Sequence, residues 1–375
     1  MKSSPKKRIV ISVTNDLTTD QRVKKVCESL TKLNVDILLI GRLLPDSVEL
    51  DRTYDCKRMK LFFNRGALFY AEYNIRLFII LLFSKADVFH ANDLDTLLAN
   101  YLASKLRRKP LVFDAHEYFT GVPEIQNRIL VKKTWSQIEN WIFPKLDYVF
   151  TVNDAIALRY HKQFGKEIKV MRNIPRKRKV KRFKSKHELH IPEDKNIIVT
   201  QGAGINIDRG IEEAVEAMQY LNNICFIIIG NGDVIPHLKK RVLQLKLENS
   251  VIFKNKMPYE EMMQYTHHAE LGLTLDKDTN TNYKLSLPNK LFDYIHAGIP
   301  ILASKIMEVE KIVHHYNIGL LIENHDPRHI AHQIETALKE NLKTKYESSL
   351  KKAAQELCWE HEEKKLIKLY KKIAG

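Results

Sequence analysis

At 375 residues the chain is longer than one hydrophobic core usually supports, so two domains are expected, and a 44% hydrophobic content is enough to fill both. The formal net charge of +16 gives the surface an attraction for phosphates, whether of nucleotides, nucleic acid or anionic lipid headgroups. Cys27, Cys56, Cys225 and Cys358 lie far apart without paired spacing, which argues against a zinc site or disulfide framework and fits a reducing cytoplasm.

The basic opening MKSSPKKR precedes an apolar run, Ile9 to Val13, that is too short for a signal-peptide core and is expected as the first strand. Further strands are expected at Asp36 to Ile40, Val88 to His90, Leu111 to Phe113 and Tyr148 to Val152, with helices between them. The clearest helix is Asp20 to Leu33, where Val23, Val26, Cys27, Leu30 and Leu33 share a stripe. The oiliest run, Leu77 to Phe83, has seven residues against the ~20 of a membrane span, so the chain is expected not to cross a bilayer. With Tyr70, Tyr73 and Arg76 ahead of it, the run reads as a buried helix face or as one lying on a membrane surface.

From Arg172 to Pro192 the chain is polar and strongly basic, as a domain linker is, and its RKRKVKRFKSK run suits a solvated hinge as well as it suits a nucleic-acid or lipid patch. Strands then resume at Ile197 to Thr200, Phe226 to Ile229, Val251 to Phe253, Leu271 to Leu275 and Ile299 to Leu302. The tail, Lys343 to Ile373, reads as a charged helix anchored by Trp359, Leu366, Leu369 and Tyr370. This alternation predicts an α/β protein of two doubly wound, Rossmann-like parallel sheets, with ligands in a central cleft at the carboxyl ends of the strands.

Polar residues gather at those ends. TNDLTTDQR places Asp20, Gln21 and Arg22 in the opening turn of the first helix, where donors facing the cleft can meet a substrate, and it lacks a GxGxxG dinucleotide fingerprint. HANDLD brings His90, Asn92, Asp93 and Asp95 to a strand-to-helix turn, where Asp93 reads first as a helix cap. FDAHEYF supplies His116 and Glu117, suited to binding hydroxyls or steadying a transition state, and no second metal-spaced histidine follows. In QGAGINIDRG, Asp208 or a neighbour caps the next helix and Arg209 stands by an anion site. Gly230 and Gly232 of IIIGNGD permit a tight turn or close approach to a ligand, and FKNKMP can present backbone groups to a base.

The stretch YKLSLPNKLFDYIHAGIPILAS, Tyr283 to Ser304, reads as loop, helix and buried strand, with Ser286 as cap, Pro288 in the first turn and Gly298 at the end. Leu287, Leu291 and Ile295 face a core, whereas Asn289, Lys290 and Asp293 gather near the helix N-terminus. An anion is favoured there, and Asp293 can accept hydrogen bonds from a diol. A sugar nucleotide combines both groups; an ordinary capped amphipathic helix is the plainer reading of the stretch by itself.

NDLTTDQR, DVFHANDLDT, FDAHEY, the QG…DRG turn, IIIGNGD, VIFKNKM and PNKLFDYIHAGIP, in that order, resemble the retaining GT-B glycosyltransferases of family 4 over nearly the whole chain. The resemblance implies an acceptor-side domain at 1–175, a basic linker at 176–193, a nucleotide-sugar domain at 194–357 and a helix at 358–375 crossing back to the first domain. It implies catalytic roles for His116, Arg209 and Lys290, with the last two on the diphosphate. Donor contacts would come from Gly202, Gly204, Gly230, Gly232, Lys254, Asn289 and Asp293, the last on the ribose, and acceptor contacts from Asp20, Arg22, Asn92, Asp93 and Glu117. No metal and no cofactor are expected, because cationic side chains and helix dipoles neutralise the leaving group. The chain departs from the family pattern at Leu285, where a first acid is usual, and at Ala203, where a second arginine is common; Lys290 is a substitute for that charge, and Asp276 or Asp278 for the acid.

The expected partners are a nucleotide sugar and a saccharide or lipid-linked acceptor, with peripheral contact at an anionic membrane on its cytoplasmic face. A sugar-nucleotide epimerase of the same architecture is the rival enzyme. A nucleic-acid-binding protein is disfavoured, since the basic residues are dispersed without an aromatic platform.

Overall fold

The computed structural model describes residues 6–18, 20–45, 47–177 and 182–374. They form two compact units, Met1–Asn173 with His361–Gly375, and Ile174–Glu360.

The first unit holds β1 (Lys7–Asp16), β2 (Val35–Leu43), β3 (Asp55–Lys60), β4 (Val88–Asn92), β5 (Leu111–Ala115), β6 (Tyr148–Thr151) and β7 (Lys169–Val170). They make one parallel sheet in the order β3-β2-β1-β4-β5-β6-β7. The central strands β4 and β5 are buried at every residue, as a sheet covered on both faces requires. The order reverses between β1 and β4, which opens a crevice at their carboxyl ends.

The second unit repeats the plan with β8 (Asn196–Gly202), β9 (Ile224–Gly230), β10 (Val251–Lys254), β11 (Leu271–Thr274), β12 (Ile301–Ser304) and β13 (Gly319–Ile322). All are parallel, in the order β10-β9-β8-β11-β12-β13, with the reversal between β8 and β11. Its core is one apolar cluster that includes Leu189 and Ile191. The end of the basic segment is therefore packed into the second unit and does not stand free as a linker; residues 178–181 of that run lie outside the described residues.

β3, β7 and β13 have no counterpart in the sequence reading. Each closes an edge of its sheet: β3 and β7 are partly exposed and carry no continuous apolar run, whereas β13, GLLI, is apolar but only four residues long. The last helix, Trp359–Ile373, buries Trp359, Leu366, Leu369 and Tyr370, and the boundary between the two units falls within it, after Glu360.

The oily run belongs to a helix of 18 residues, Gly66–Phe83, whose mean hydropathy of 1.5 and length are sufficient for a membrane span although only 22% of it is buried. Phe69, Tyr73, Leu77 and Leu81, spaced by four, face the unit's interior, and the Tyr73 hydroxyl donates to the Val13 carbonyl at 2.6 Å. One stripe of this helix is thereby fixed to the sheet layer.

Candidate active site

In the second unit the residues that carry charge converge because two loops lock together. Gly210 adopts a positive φ of +70°, and a Cβ there would lie 2.1 Å from the Leu275 carbonyl oxygen, so only glycine lets the loop after β8 press on the end of β11. The Lys277 amide donates to the Asp208 carbonyl at 2.9 Å across the same seam. Arg209 and Asp276, each next to a locked residue, are consequently brought face to face, with Arg209 Nη1 3.3 Å from Asp276 Oδ1. Lys290, in the first turn of the helix Asn289–Ala297, approaches the same oxygen at 3.8 Å. The Arg209 guanidinium lies 3.9 Å from the centre of the Tyr283 ring.

Two cations thus share one carboxylate. Asp276 is 2% exposed, and among the described residues neither of its oxygens has a hydrogen-bond donor. Burial pushes the Lys290 ammonium down from its ordinary value; Asp276 opposes that shift and Arg209 adds to it. An anionic ligand arriving here meets positive charge in excess of the local acid.

Asp293 lies in the same helix with both oxygens engaged. Its Oδ2 accepts from Gln201 Nε2 at 3.0 Å and its Oδ1 from the Tyr259 hydroxyl at 2.9 Å. Thr266 in turn donates to Gln201, so the carboxylate is oriented by a chain of polar groups. Gly202, Gly204 and Asn289 are exposed, while Lys254 is half-buried with its ammonium 5.3 Å from the Tyr265 ring. Gly230 and Gly232 serve close approach by backbone: a Cβ on either would sit 1.8 Å from the carbonyl oxygen of Gly202 or Ile205 respectively.

One expected cap is corrected, and the other falls on a neighbour of Asp208. Ser286 donates to the Tyr283 carbonyl at 2.8 Å and closes the short helix Thr281–Lys284, so Pro288 occupies the cap position of the next helix. Gly210, and not Asp208, precedes the helix Ile211–Ala217. Leu285 ends the short helix, and Ala203 is exposed in the loop after β8.

In the first unit, register sets Asn92 beside Asp114, and strand alternation puts His90 and Asn92, and likewise Asp114 and His116, on one face. Arg22, expected to meet a substrate, is instead 3% exposed: its Nε and Nη2 donate to the two Asp114 oxygens at 3.0 and 2.6 Å, and its Nη1 to the Met171 carbonyl at 2.8 Å. Burial raises the Asp114 carboxyl, but Arg22 and His116 outweigh it and hold the group far below the usual range. Asp20 caps its helix by accepting from the Val23 amide at 2.9 Å and also accepts from Asn15 at 3.0 Å.

His116 is bound on both ring nitrogens, Nδ1 3.2 Å from Asp93 Oδ2, and Nε2 3.1 Å from Asn92 Oδ1 and 3.5 Å from Asp114 Oδ2. Burial opposes its charge, yet Asp93 and Asp114 prevail and push its pKa up to about 9. The ring is therefore an imidazolium near neutral pH, a donor and fixed charge but no base. Asp93 makes no side-chain cap: it accepts from the His116 amide at 2.7 Å and holds φ at +59°, a strained value for a residue with a side chain. Glu117 is half-buried beside this group.

The family resemblance assigns no role to Asp114, His90 or Asp95. Spacing by two from His116 was the sequence signal for Asp114. His90, fully buried with Nδ1 2.6 Å from the Tyr370 hydroxyl, has its pKa lowered to about 4 by burial despite Asp114. Asp95 accepts from Thr14 at 2.5 Å and is pushed up to about 8, first by burial and then by Asp93.

Residues 181–357 match the family profile described as Glycosyl transferases group 1, and residues 20–174 match Glycosyltransferase Family 4. The amylovoran biosynthesis glycosyltransferase AmsK of Erwinia amylovora is 25% identical over 153 residues, 40% of this chain and 37% of that protein, so the alignment spans well under half of the relative. Sucrose-phosphate synthase of Thermosynechococcus elongatus superposes with a TM-score of 0.78 at 16% identity, covering 98% of this chain and 99% of that one. Anabaena HepE in complex with UDP-glucose superposes with a TM-score of 0.75 at 14% identity, covering 97% and 99%. The two Rossmann-like α/β units are those of the GT-B fold.

Proposed function

We propose that this chain, built of a glycosyl transferases group 1 domain and a Glycosyltransferase Family 4 domain, moves a hexosyl or related sugar from a nucleotide-diphosphate donor to a saccharide or lipid-linked acceptor, with retention. The observation that carries the reading is the convergence of Arg209 and Lys290 on a buried carboxylate at the carboxyl end of β11. Two cations at one point suit the charge that grows on a departing diphosphate. The acceptor hydroxyl attacks the face the diphosphate leaves, and the leaving phosphate oxygen takes its proton, so the new bond keeps the old configuration. Asp293, oriented by Gln201 and Tyr259, holds the ribose hydroxyls.

No metal is needed where side chains supply the positive charge, and turnover is expected to persist in EDTA. The polysaccharide-related relative supports a role in cell-surface glycan synthesis, and the buried thiols of Cys27 and Cys225 fit a cytoplasmic setting, at the inner face of the membrane. A thermal-shift panel of nucleotide sugars identifies the donor, because a ligand that binds the folded state stabilises it. With that donor, Arg209→Ala and Lys290→Ala are each expected to cut turnover on the order of 10²-fold. Unchanged turnover in both removes the assignment, and conversion of the donor's sugar to its epimer without any acceptor replaces it with an epimerase.

A further inference from the structure

The helix Gly66–Phe83 is apolar on both sides, and only one side is used by the fold. Opposite the buried stripe, Leu68, Ile75, Ile79 and Phe83 are exposed by 59, 62, 49 and 81%. At 100° per residue these positions fall within one sector of the helix. Two more apolar side chains are tied to it. The Glu72 carboxylate accepts from the amides of Phe62 and Phe63, at 3.0 and 2.9 Å, and so straps the preceding segment to the helix. Phe62 is left 84% exposed, with the Arg76 guanidinium 4.9 Å from its ring centre.

Positive charge borders the patch. Lys57, Arg58, Met59, Arg76, Ile79 and Ile80 line a shallow groove of about 340 Å³, and Lys60 and Arg65 are exposed nearby in sequence. Lysines on the edge strand β3 by themselves need no ligand, since they discourage pairing of sheet edges. They do not account for six large apolar side chains held outward beside them. An apolar stripe bordered by cations is the composition that lies in a bilayer interface, its side chains among acyl chains and its cations among anionic headgroups.

We propose that this face, Phe62, Leu68, Ile75, Ile79 and Phe83 with Lys57, Arg58 and Lys60, docks the first unit on an anionic lipid surface, with the helix lying in the plane of the interface. The inference rests on the functional reading only in so far as lipid-linked acceptors reside in such a surface.

The test is co-sedimentation of the full chain with vesicles of phosphatidylcholine, with and without phosphatidylglycerol. Binding is expected with the anionic vesicles, weakened by high salt. Phe62→Ser combined with Ile79→Ser, both on the exposed face, is expected to lower the partition by about tenfold or more at unchanged Tm. Lys57→Glu with Lys60→Glu is expected to abolish the preference for the anionic vesicles. A wild-type chain that stays in the supernatant overturns the proposal, as does an apolar double variant that binds as well as wild type. Resistance to alkaline carbonate extraction also overturns it, since that marks a spanning helix, and so does a dimer without vesicle binding that the double variant breaks. Nucleotide-sugar thermal shifts, read in parallel, separate its failure from failure of the transferase reading: donor stabilisation in a chain that binds no vesicles removes the docking face alone.

Discussion

Replacing Asp276 by Asn removes the one negative charge between Arg209 and Lys290 while keeping nearly the same volume. Each cation stands between 3 and 4 Å from the Asp276 carboxylate. At that separation and an effective dielectric near 20, one pair is worth about 4 kcal/mol before desolvation is counted. Removing one member of a buried ionic group costs roughly 3–5 kcal/mol net. The lower figure is expected, because the Arg209 side chain is 24% exposed and rests on Tyr283, so solvent and the ring still stabilise it. For a unit of this size about 3 kcal/mol lowers Tm by roughly 10 °C. Ligand binding moves the opposite way. Without the acid, an incoming diphosphate faces two uncompensated cations, and inorganic pyrophosphate is expected to bind at least about tenfold tighter, a gain of roughly 1.4 kcal/mol. The assay is a thermal melt of wild type and variant across a pyrophosphate titration. An unchanged Tm in the absence of ligand, together with equal or weaker pyrophosphate binding, would refute the view that Asp276 holds the cations in place of a phosphate.

Arg22→Ala is expected to destabilise the first unit by about 3–5 kcal/mol in urea unfolding, because it strands the buried Asp114 carboxylate. Pyrophosphate binding to the second unit is expected to be unaffected, which distinguishes a structural ion pair from a substrate contact. The His116 cluster gives a pH dependence. The folded-state pKa of about 9 lies above the ordinary 6.5, so the stabilisation is complete below pH 6.5 and is lost as pH rises through 9, on the order of 3 kcal/mol in all. Asp95, raised to about 8, acts in the same direction over a lower range. His116→Gln should therefore keep a decline due to Asp95 and lose the imidazolium's part, which spans pH 6.5 to 9; a variant with the wild-type profile would contradict the assignment.

Much of the fold was legible because covered parallel strands must be almost continuously apolar. Ile9 to Val13, Leu111 to Phe113 and Phe226 to Ile229 could be read as strands directly, and each lies within β1, β5 or β9. The edge strand β3 escaped because a half-exposed strand such as DCKRMK carries no such run, whereas the edge strand β10, which begins Val-Ile-Phe, was legible. Composition placed Leu77 to Phe83 in a helix, yet only packing showed that its second apolar face stays outside.

The site divides in the same way. Motif order and chemical type brought Arg209, Lys290, Asp293 and His116 forward, since charged residues after successive strands must collect at the carboxyl ends of the sheets. Sequence by itself could not say which charges pair, because partners such as Arg22 and Asp114 are 92 residues apart in the chain and meet only through strand order. Tertiary structure turned Arg22 from a presumed substrate contact into a buried strut, and made Asp276 the shared counter-ion of the two cations. The reason is geometric: Gly210 permits the approach that sets Arg209 against Asp276, and spacing along the chain does not encode the distance between two loops.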